Sequence, residues 1–569
     1  MCGIFLYINR QNIDTLPAAV YNGFMASKAR GPDNSHIIID NNIFIGFHRL
    51  MINDLSYAGD QPMIYNENVL ICNGEIYNFR ELIAEYNLNC KSHSDCEVIV
   101  HLYEHFKSLS KTHVDVVKKL CQVLDGEFAF MIYDKTLRKL IVARDRFGMR
   151  PLFFGSDENS IGFGSELKNL DGLYSREVKN EVQQFPPSQF HIYEVGNEVG
   201  SVGVGELRES GTYYSIINTV AKAVATSPME PDTYFARIRE TLEAAVEKRL
   251  VSDVPICALL SGGLDSSLVC GIITKKLGRG VLNTFSIGME GSTDLHCARK
   301  VADYIGSIHH EVLVTEEEML AVIETVIKTI ESYDITSVRA SVPHYLISKY
   351  IKENTKFKCV LSGEMSDELL GGYIYFKKAP DDVAFIKETH RLLSDICYFD
   401  NLRADRCISS QCLEARIPFS DTAFIDLIQF LPADIRINEK IEKYALRKAF
   451  DGEGLIPDEI LWRSKEALSD GVSKTDKSWY KIIQDYVETV VDPDEYTDFI
   501  EYEKYKEEKL YAHCPPHTKE AYYYRKIFHK HYKNDRVIPY FWMPKWTTSN
   551  DPSARTLSDI YAAAPTDQS

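Results

Sequence analysis

Long apolar runs are missing from this sequence. No stretch approaches the roughly 18 residues that a membrane span requires, so no spanning segment is expected. A basic region ahead of the first apolar residues is missing too. The opening run soon meets Asn9 and Arg10 and does not read as a secretory leader. Cysteine pattern is absent: the 13 cysteines form no CxxC pair, and no HExxH accompanies them. An odd, irregular set argues against a disulfide framework and leaves a structural zinc site nothing to rest on. Positive charge is in deficit, with 64 Lys and Arg against 82 Asp and Glu and a formal charge of −18. That balance excludes nucleic-acid binding by broad phosphate neutralisation, while leaving room for local basic pockets. The expectation is a cytoplasmic protein in a reducing compartment, without nucleic-acid or membrane partners.

What remains is ordinary for a globular protein, 45% hydrophobic and 26% charged, but 569 residues exceed what one core supports. Residues 1–205 hold short apolar runs cut by turn residues, such as "SHIIIDNNIFIGFHRL", "NVLICNGEIYNF" and "GEFAFMIYD", which read as strands of a layered sheet. "SDCEVIVHLYEHF" has helical spacing instead, with Val98, Leu102 and Phe106 four apart and Ser94 or Asp95 as its N-cap. Residues 206–231 read as a connection. The stretch after it predicts an amphipathic helix with Phe235, Ile238, Leu242, Ala245 and Val246 on one face. From there to 569 strands alternate with helices, which predicts a parallel sheet with crossover helices, followed by a helical C-terminal region and an ordered "PYFWMPKWTTSNDPSARTL" tail.

The most informative stretch is "ICALLSGGLDSSLVCG". An apolar strand, Ile256 to Leu260, runs into Ser261-Gly262-Gly263-Leu264-Asp265-Ser266-Ser267 and then a helix. Paired glycines let a backbone approach a ligand, and the helix N-terminus behind them favours an anion. The Ser261, Ser266 and Ser267 hydroxyls add donors. Asp265 would repel phosphate unless a cation lay between them, and Mg²⁺ is the hard, oxygen-seeking candidate. The bland alternative is a Ser/Gly turn in which Asp265 merely caps the helix.

This loop resembles the pyrophosphate loop of ATP pyrophosphatases, in the branch of the glutamine-hydrolysing asparagine synthetases. That family's other motifs stand here as "LSGEMSDEL" (361–369), "LEARIPF" (413–419), "KEALSDGV" (465–472) and "DPSARTL" (551–557). The opening "MCGIFLYINR" then becomes legible, although a Cys in an apolar run is usually just part of a buried strand. The synthetases resemble class II glutamine amidotransferases, whose mature chain begins with a catalytic cysteine. With Met1 removed, the Cys2 α-amine (pKa ~8) could deprotonate its own thiol (~8.5) at little cost.

The resemblance implies an α+β N-terminal domain over 1–205, an Ntn-hydrolase-like α/β/β/α sandwich. It implies an α/β domain over 232–569 of the HUP/ATP-pyrophosphatase kind. It carries Cys2, Asn73, Gly74, Glu364 and Lys465 over as catalytic, Asn73 and Gly74 facing the oxyanion, and Glu364 serving the β-aspartyl-AMP intermediate. "HRLMIND" and "NGEIYN" would bind glutamine through Arg49, Leu50, Met51, Ile52, Asn53, Asn73, Gly74 and Glu75, joined by Asp95. In this reading Arg49 pairs with the substrate α-carboxylate, and Glu75 and Asp95 with its ammonium. Leu259, Ser261, Gly262, Gly263, Asp265, Ser266, Ile287, Ser362 and Gly363 would hold ATP, and Asp265 and Asp367 the Mg²⁺. The substrates would be glutamine, aspartate and ATP, with a homodimer an open option. Departures are Met365, where the family has glycine and a positive φ would strain it, and His93, where a small residue is common. A β-lactam-synthetase-like enzyme and a catalytically weakened nucleotide-binding homologue are the alternatives. Intact Cys2, Arg49 and NGEIYN oppose the first; retention of Cys2, Asp265, Asp367 and Lys465 opposes the second.

Overall fold

Alternation along the first strand sets the architecture of the N-terminal half. In Gly3–Asn9 the residues Ile4, Leu6 and Ile8 point one way and Phe5 and Tyr7 the other, because successive side chains of a strand leave opposite faces. The computed structural model describes residues 1–10, 17–174, 182–196, 204–216, 230–437, 441–474, 477–505 and 511–557. Within them Gly3–Asn9 pairs antiparallel with Ile43–Arg49 on one side and Ser160–Gly164 on the other, near the middle of a six-stranded sheet. A second six-stranded antiparallel sheet is centred on Asn68–Ile76, Gly126–Asp134 and Lys139–Arg144. Ile4, Leu6, Ile8, Ile45 and Phe47 pack against Val69, Ile71, Met131 and Val142 between the two sheets. The helices Glu97–Leu109 and His113–Val123 cover the outer face of the second sheet through Val98, Leu102, Phe106 and Leu120. Phe5 and Tyr7 face the helix Ala18–Met25, in a cluster that continues into Ile323, Ile327 and Phe399 of the C-terminal half. This is the expected α/β/β/α sandwich, with part of one outer layer supplied by the other half of the chain.

The C-terminal half is built on a five-stranded, all-parallel sheet in the order Ile308–Leu313, Asn283–Gly288, Ile256–Leu259, Cys359–Leu361, Glu414–Arg416. From Ile256–Leu259 the chain winds outward through two strands on one side, then returns to start the other side with Cys359–Leu361. The reversal lies between those two strands, and a doubly wound sheet opens its ligand crevice at the carboxyl ends there. Those ends carry Ser261–Ser267 and Ser362–Asp367.

Several boundaries differ from the sequence reading. Leu207–Thr212 lies in the expected connection but forms the edge strand of the second sheet, paired with Gln189–Glu194. Residues 217–229 of that connection lie outside the described residues. The helix Pro231–Lys248 buries Tyr234, with Phe235 only half-buried, alongside Ile238, Leu242, Ala245 and Val246. The helix Glu97–Leu109 starts after Cys96 and has no side-chain cap; Asp95 turns instead to accept from the Ile76 N–H at 2.7 Å.

The two halves meet through buried charges. Arg30 makes a two-bond pair with Asp405 at 2.7 and 3.0 Å and a third bond to Glu166 at 3.0 Å. Arg249 contacts Glu127 and Asp421, each at 3.2 Å. The tail is ordered as expected. Asp551 takes two 2.8 Å bonds from Arg339, and Arg555 reaches Glu466, the residue after Lys465, at 2.7 Å.

Candidate active sites

Cys2 stands at the end of the first strand, beside the strand that carries Asn73. Its backbone N–H donates to Asn73 Oδ1 at 3.0 Å, and its Sγ lies 3.9 Å from the Leu50 carbonyl. Asn73 is 1% exposed, and its Nδ2 has no hydrogen-bond partner. A buried amide donor without an acceptor is costly, and a transient oxyanion would satisfy it. Burial pushes the Cys2 thiol up. Met1 precedes it as a buried residue, its ammonium 3.5 Å from Glu414 Oε2 and its side chain clustered with Phe285, Ile287 and Val360 of the C-terminal half.

A short step away, Asn53 gathers two carboxylates. Its Nδ2 donates to Glu75 at 2.8 Å and to Asp95 at 3.3 Å. Burial raises the pKa of both groups, and the charge of Glu414 raises Glu75 further, well above the usual carboxylate range. The Arg416 guanidinium stands 3.3 Å from Glu75, so two buried acids share one cation of the chain, an arrangement that suits an incoming α-ammonium group. Arg49 does not present the free fork expected of a carboxylate clamp. Its Nη1 donates to the Ser56 carbonyl and to Asp60, each at 2.6 Å, and its Nη2 to the Asp54 carbonyl. At 3% exposure it ties its own loop together, and gripping a substrate would require it to change partners. Met51 and Ile52 face the seam between the halves: the Met51 carbonyl accepts from Lys358 at 3.3 Å and the Ile52 carbonyl from the Asp253 N–H at 3.1 Å.

The second site lies at the switch point of the parallel sheet. Leu259, Ser261, Gly263, Asp265, Ser266, Ile287, Ser362, Gly363, Glu364, Asp367 and Lys465 line one cleft, as the sequence reading expects. Gly262 and Ser267 do not. Gly262 has φ +73°, a Cβ there would lie 2.4 Å from the Ala298 nitrogen, and its carbonyl accepts from Arg463 at 3.0 Å. The Ser267 hydroxyl is fully buried away from the cleft. Gly363 is required by close approach: a Cβ would stand 2.8 Å from the Ser266 nitrogen, so the two motifs touch backbone to backbone.

The charges at the back of this cleft are matched. Asp265 Oδ1 accepts from the Ser366 hydroxyl at 2.6 Å, and Oδ2 meets Lys443 Nζ at 2.5 Å. Asp367 Oδ1 meets the same Lys443 at 2.6 Å, and its Oδ2 meets Lys465 at 2.6 Å. Burial would raise Asp367, but the two lysines outweigh it and hold its pKa at about 2. Two carboxylates that converge on one buried ammonium are a donor set that fits a hard divalent cation at the same point. Glu364 is held by Arg403 in a two-bond pair at 3.2 and 2.8 Å, and Arg403 also binds Asp400 at 2.7 Å. Arg403 and Lys443 were not singled out from sequence, since neither stands in one of the quoted motifs.

One other group of ligand-type side chains occurs among the described residues. Cys90, Glu97 and His101 lie within 4.8 Å of one another. Glu97 is already saturated there by the Lys91 and Ser92 N–H groups, the Ser92 hydroxyl and His101, and burial drives Cys90 up to about 12, so the trio ties down the loop that carries Asp95.

A family model described as a glutamine amidotransferase domain matches residues 1–198, and one described as asparagine synthase matches residues 237–385 and 378–550. A Gallus gallus protein named asparagine synthetase (glutamine-hydrolyzing) is 41% identical over 550 residues, covering 94% of this chain and 95% of its own. The Homo sapiens protein of that name is 39% identical over 581 residues, covering 99% and 100%. Among solved structures, a glutamine phosphoribosylpyrophosphate amidotransferase from B. subtilis is similar at a TM-score of 0.31 and 16% identity, over 55% of this chain and 81% of its own.

Proposed function

The chain belongs to the glutamine-hydrolysing asparagine synthetase family, and from that premise we propose how its residues divide the work. The reaction is ATP-dependent synthesis of asparagine from aspartate, with glutamine as nitrogen donor. Residues 1–212 carry the glutaminase and the chain from 231 onward the synthetase.

In the glutaminase, Cys2 is the nucleophile once Met1 has been removed. The freed α-amine takes the thiol proton, the sulfur adds to the glutamine amide carbon, and Asn73 Nδ2 with the Gly74 N–H receives the oxyanion. The α-ammonium gives that proton to the amide nitrogen, collapse expels ammonia and leaves a thioester, and water hydrolyses the thioester to glutamate and the free thiol. Glu75 and Asp95 hold the substrate ammonium, and Arg49 takes the α-carboxylate after leaving Asp60. The orphaned Asn73 donor beside Cys2 is the observation that carries this assignment.

In the synthetase, the loop 261–266 receives the ATP phosphates, and Leu259, Ile287, Ser362 and Gly363 surround the nucleoside. A carboxylate is a poor electrophile. The aspartate β-carboxylate therefore attacks the α-phosphorus, PPi departs, and ammonia displaces AMP from the mixed anhydride. Asp265 and Asp367 would hold Mg²⁺, which supplies charge neutralisation to the phosphates. Lys465 balances charge on the reacting phosphate. Glu364, oriented by Arg403, faces the incoming ammonia, and to act as its base it must give up part of that pair.

The test is a product assay. Wild type with ATP, Mg²⁺, aspartate and glutamine should yield asparagine, glutamate, AMP and PPi in equal amounts. Cys2→Ala should make asparagine from ammonium alone. Glutamate without AMP would mean that the synthetase half does not work as assigned, and asparagine from glutamine in Cys2→Ala would remove Cys2 from its role.

A further inference from the structure

The site proposed for the divalent cation already contains a cation of the chain's own. Lys443 Nζ sits between Asp265 Oδ2 and Asp367 Oδ1, at 2.5 and 2.6 Å, with its side chain 2% exposed. The placement is built in rather than incidental. Lys443 holds a left-handed backbone conformation, φ 55° and ψ 31°, at the start of the helix Tyr444–Ala449. Its side chain passes over Gly372, where a Cβ would lie 2.0 Å from the Lys443 Cε, so any larger residue at 372 would have to displace it.

With Ser366 on the far oxygen of Asp265 and Lys465 on the far oxygen of Asp367, the four oxygens are all engaged, and two negative charges face two positive ones. A second cation cannot enter between the carboxylates while Lys443 stays. A buried ammonium likewise cannot leave without another anion to receive it.

We propose that Lys443 is the resident counterion of the Asp265–Asp367 pair and makes divalent-cation binding conditional on nucleotide. The inference rests on the phosphate-loop reading of residues 261–266. A triphosphate seated there brings the anionic oxygens that Lys443 needs, so Lys443 passes from carboxylate to phosphate and frees the two aspartates for the metal. Metal and nucleotide then bind cooperatively, and Asp265 and Asp367 do not collect free Mg²⁺ between turnovers.

The test reads binding and stability. The full-length protein is titrated with Mn²⁺ by calorimetry, with and without a non-hydrolysable ATP analogue, and is melted in Mg²⁺ and in EDTA. Wild type should bind Mn²⁺ at least tenfold more tightly with the analogue than without it, and its melting temperature should ignore Mg²⁺ alone. Lys443→Met should bind Mn²⁺ without nucleotide at least tenfold more tightly than wild type. It should also melt lower in EDTA than in Mg²⁺, because it leaves two carboxylates facing each other. Lys443→Gln serves the same measurement if the methionine variant does not fold. Nucleotide-free Mn²⁺ binding that is equal in wild type and variant would overturn the proposal. Failure of wild type to bind the analogue at all would instead overturn the phosphate-loop reading.

Discussion

Met365 has a backbone angle that a side chain disfavours and a burial that offsets it. Its φ is +72°, and its side chain is 2% exposed in the core cluster around Leu264, Leu369 and Phe419. The left-handed conformation costs a non-glycine residue about 1–2 kcal/mol, while burying a Met side chain contributes about 1.5–3 kcal/mol. Met365→Gly should therefore lose stability, because the relief of strain is smaller than the lost packing. Met365→Ala should lose about 1 kcal/mol more, since it keeps the strain and forfeits the packing. Denaturant melts that rank glycine below alanine would refute this account. The strain was foreseeable from sequence, because a positive φ follows from the glycine that the motif normally has there. Cys2, Asn73, Asp265 and Asp367 were legible for the same reason, as members of contiguous motifs. Lys443 was not: it reaches Asp265 across 178 residues, and no local pattern encodes such a meeting.

Elements were legible where one face is buried and illegible where neither is. Ile4, Leu6 and Ile8 betray their strand by alternation, and the helix Pro231–Lys248 by its apolar stripe. The edge strand Leu207–Thr212 is exposed or half-exposed throughout, so its sequence carries no pattern and it read as a connection. The strand Ile43–Arg49, which leads into the loop that carries Asn53, has a further dependence that alternation does not reveal. His48 is buried against the Phe24 ring, with Nε2 at 3.0 Å from the Phe24 carbonyl and Nδ1 at 2.7 Å from the Ser35 hydroxyl. Burial lowers its pKa from 6.5 to about 4. The fold therefore favours neutral His48, a contribution fully present above pH 6.5 and lost as the pH falls toward 4. The loss is on the order of 3 kcal/mol, since the drop from 6.5 to about 4 is converted at ~1.4 kcal/mol per pKa unit. His48→Gln should flatten the stability curve between pH 6.5 and 4 relative to wild type. Parallel curves for the two proteins would contradict this.

At the scale of the whole molecule, the two halves are joined through buried groups at the seam. Arg416 lies 2.9 Å from Glu414 and 3.3 Å from Glu75, so one guanidinium on the edge strand of the parallel sheet touches a buried acid of the N-terminal half. Within the apolar "LEARIPF" stretch, Glu414 and Arg416 form a salt bridge with each other, and Arg416 also crosses the seam to Glu75. On the proposed division of work, one chain releases ammonia at Cys2 and uses it at the Asp265–Asp367 cleft. The most direct measurement is asparagine synthesis from glutamine labelled with ¹⁵N in the amide, in the presence of an equal concentration of unlabelled ammonium. Asparagine whose amide carries the label with little dilution is the predicted result. Asparagine labelled no more than the mixed ammonia pool would contradict internal transfer, and label-free asparagine would contradict the role of Cys2 itself.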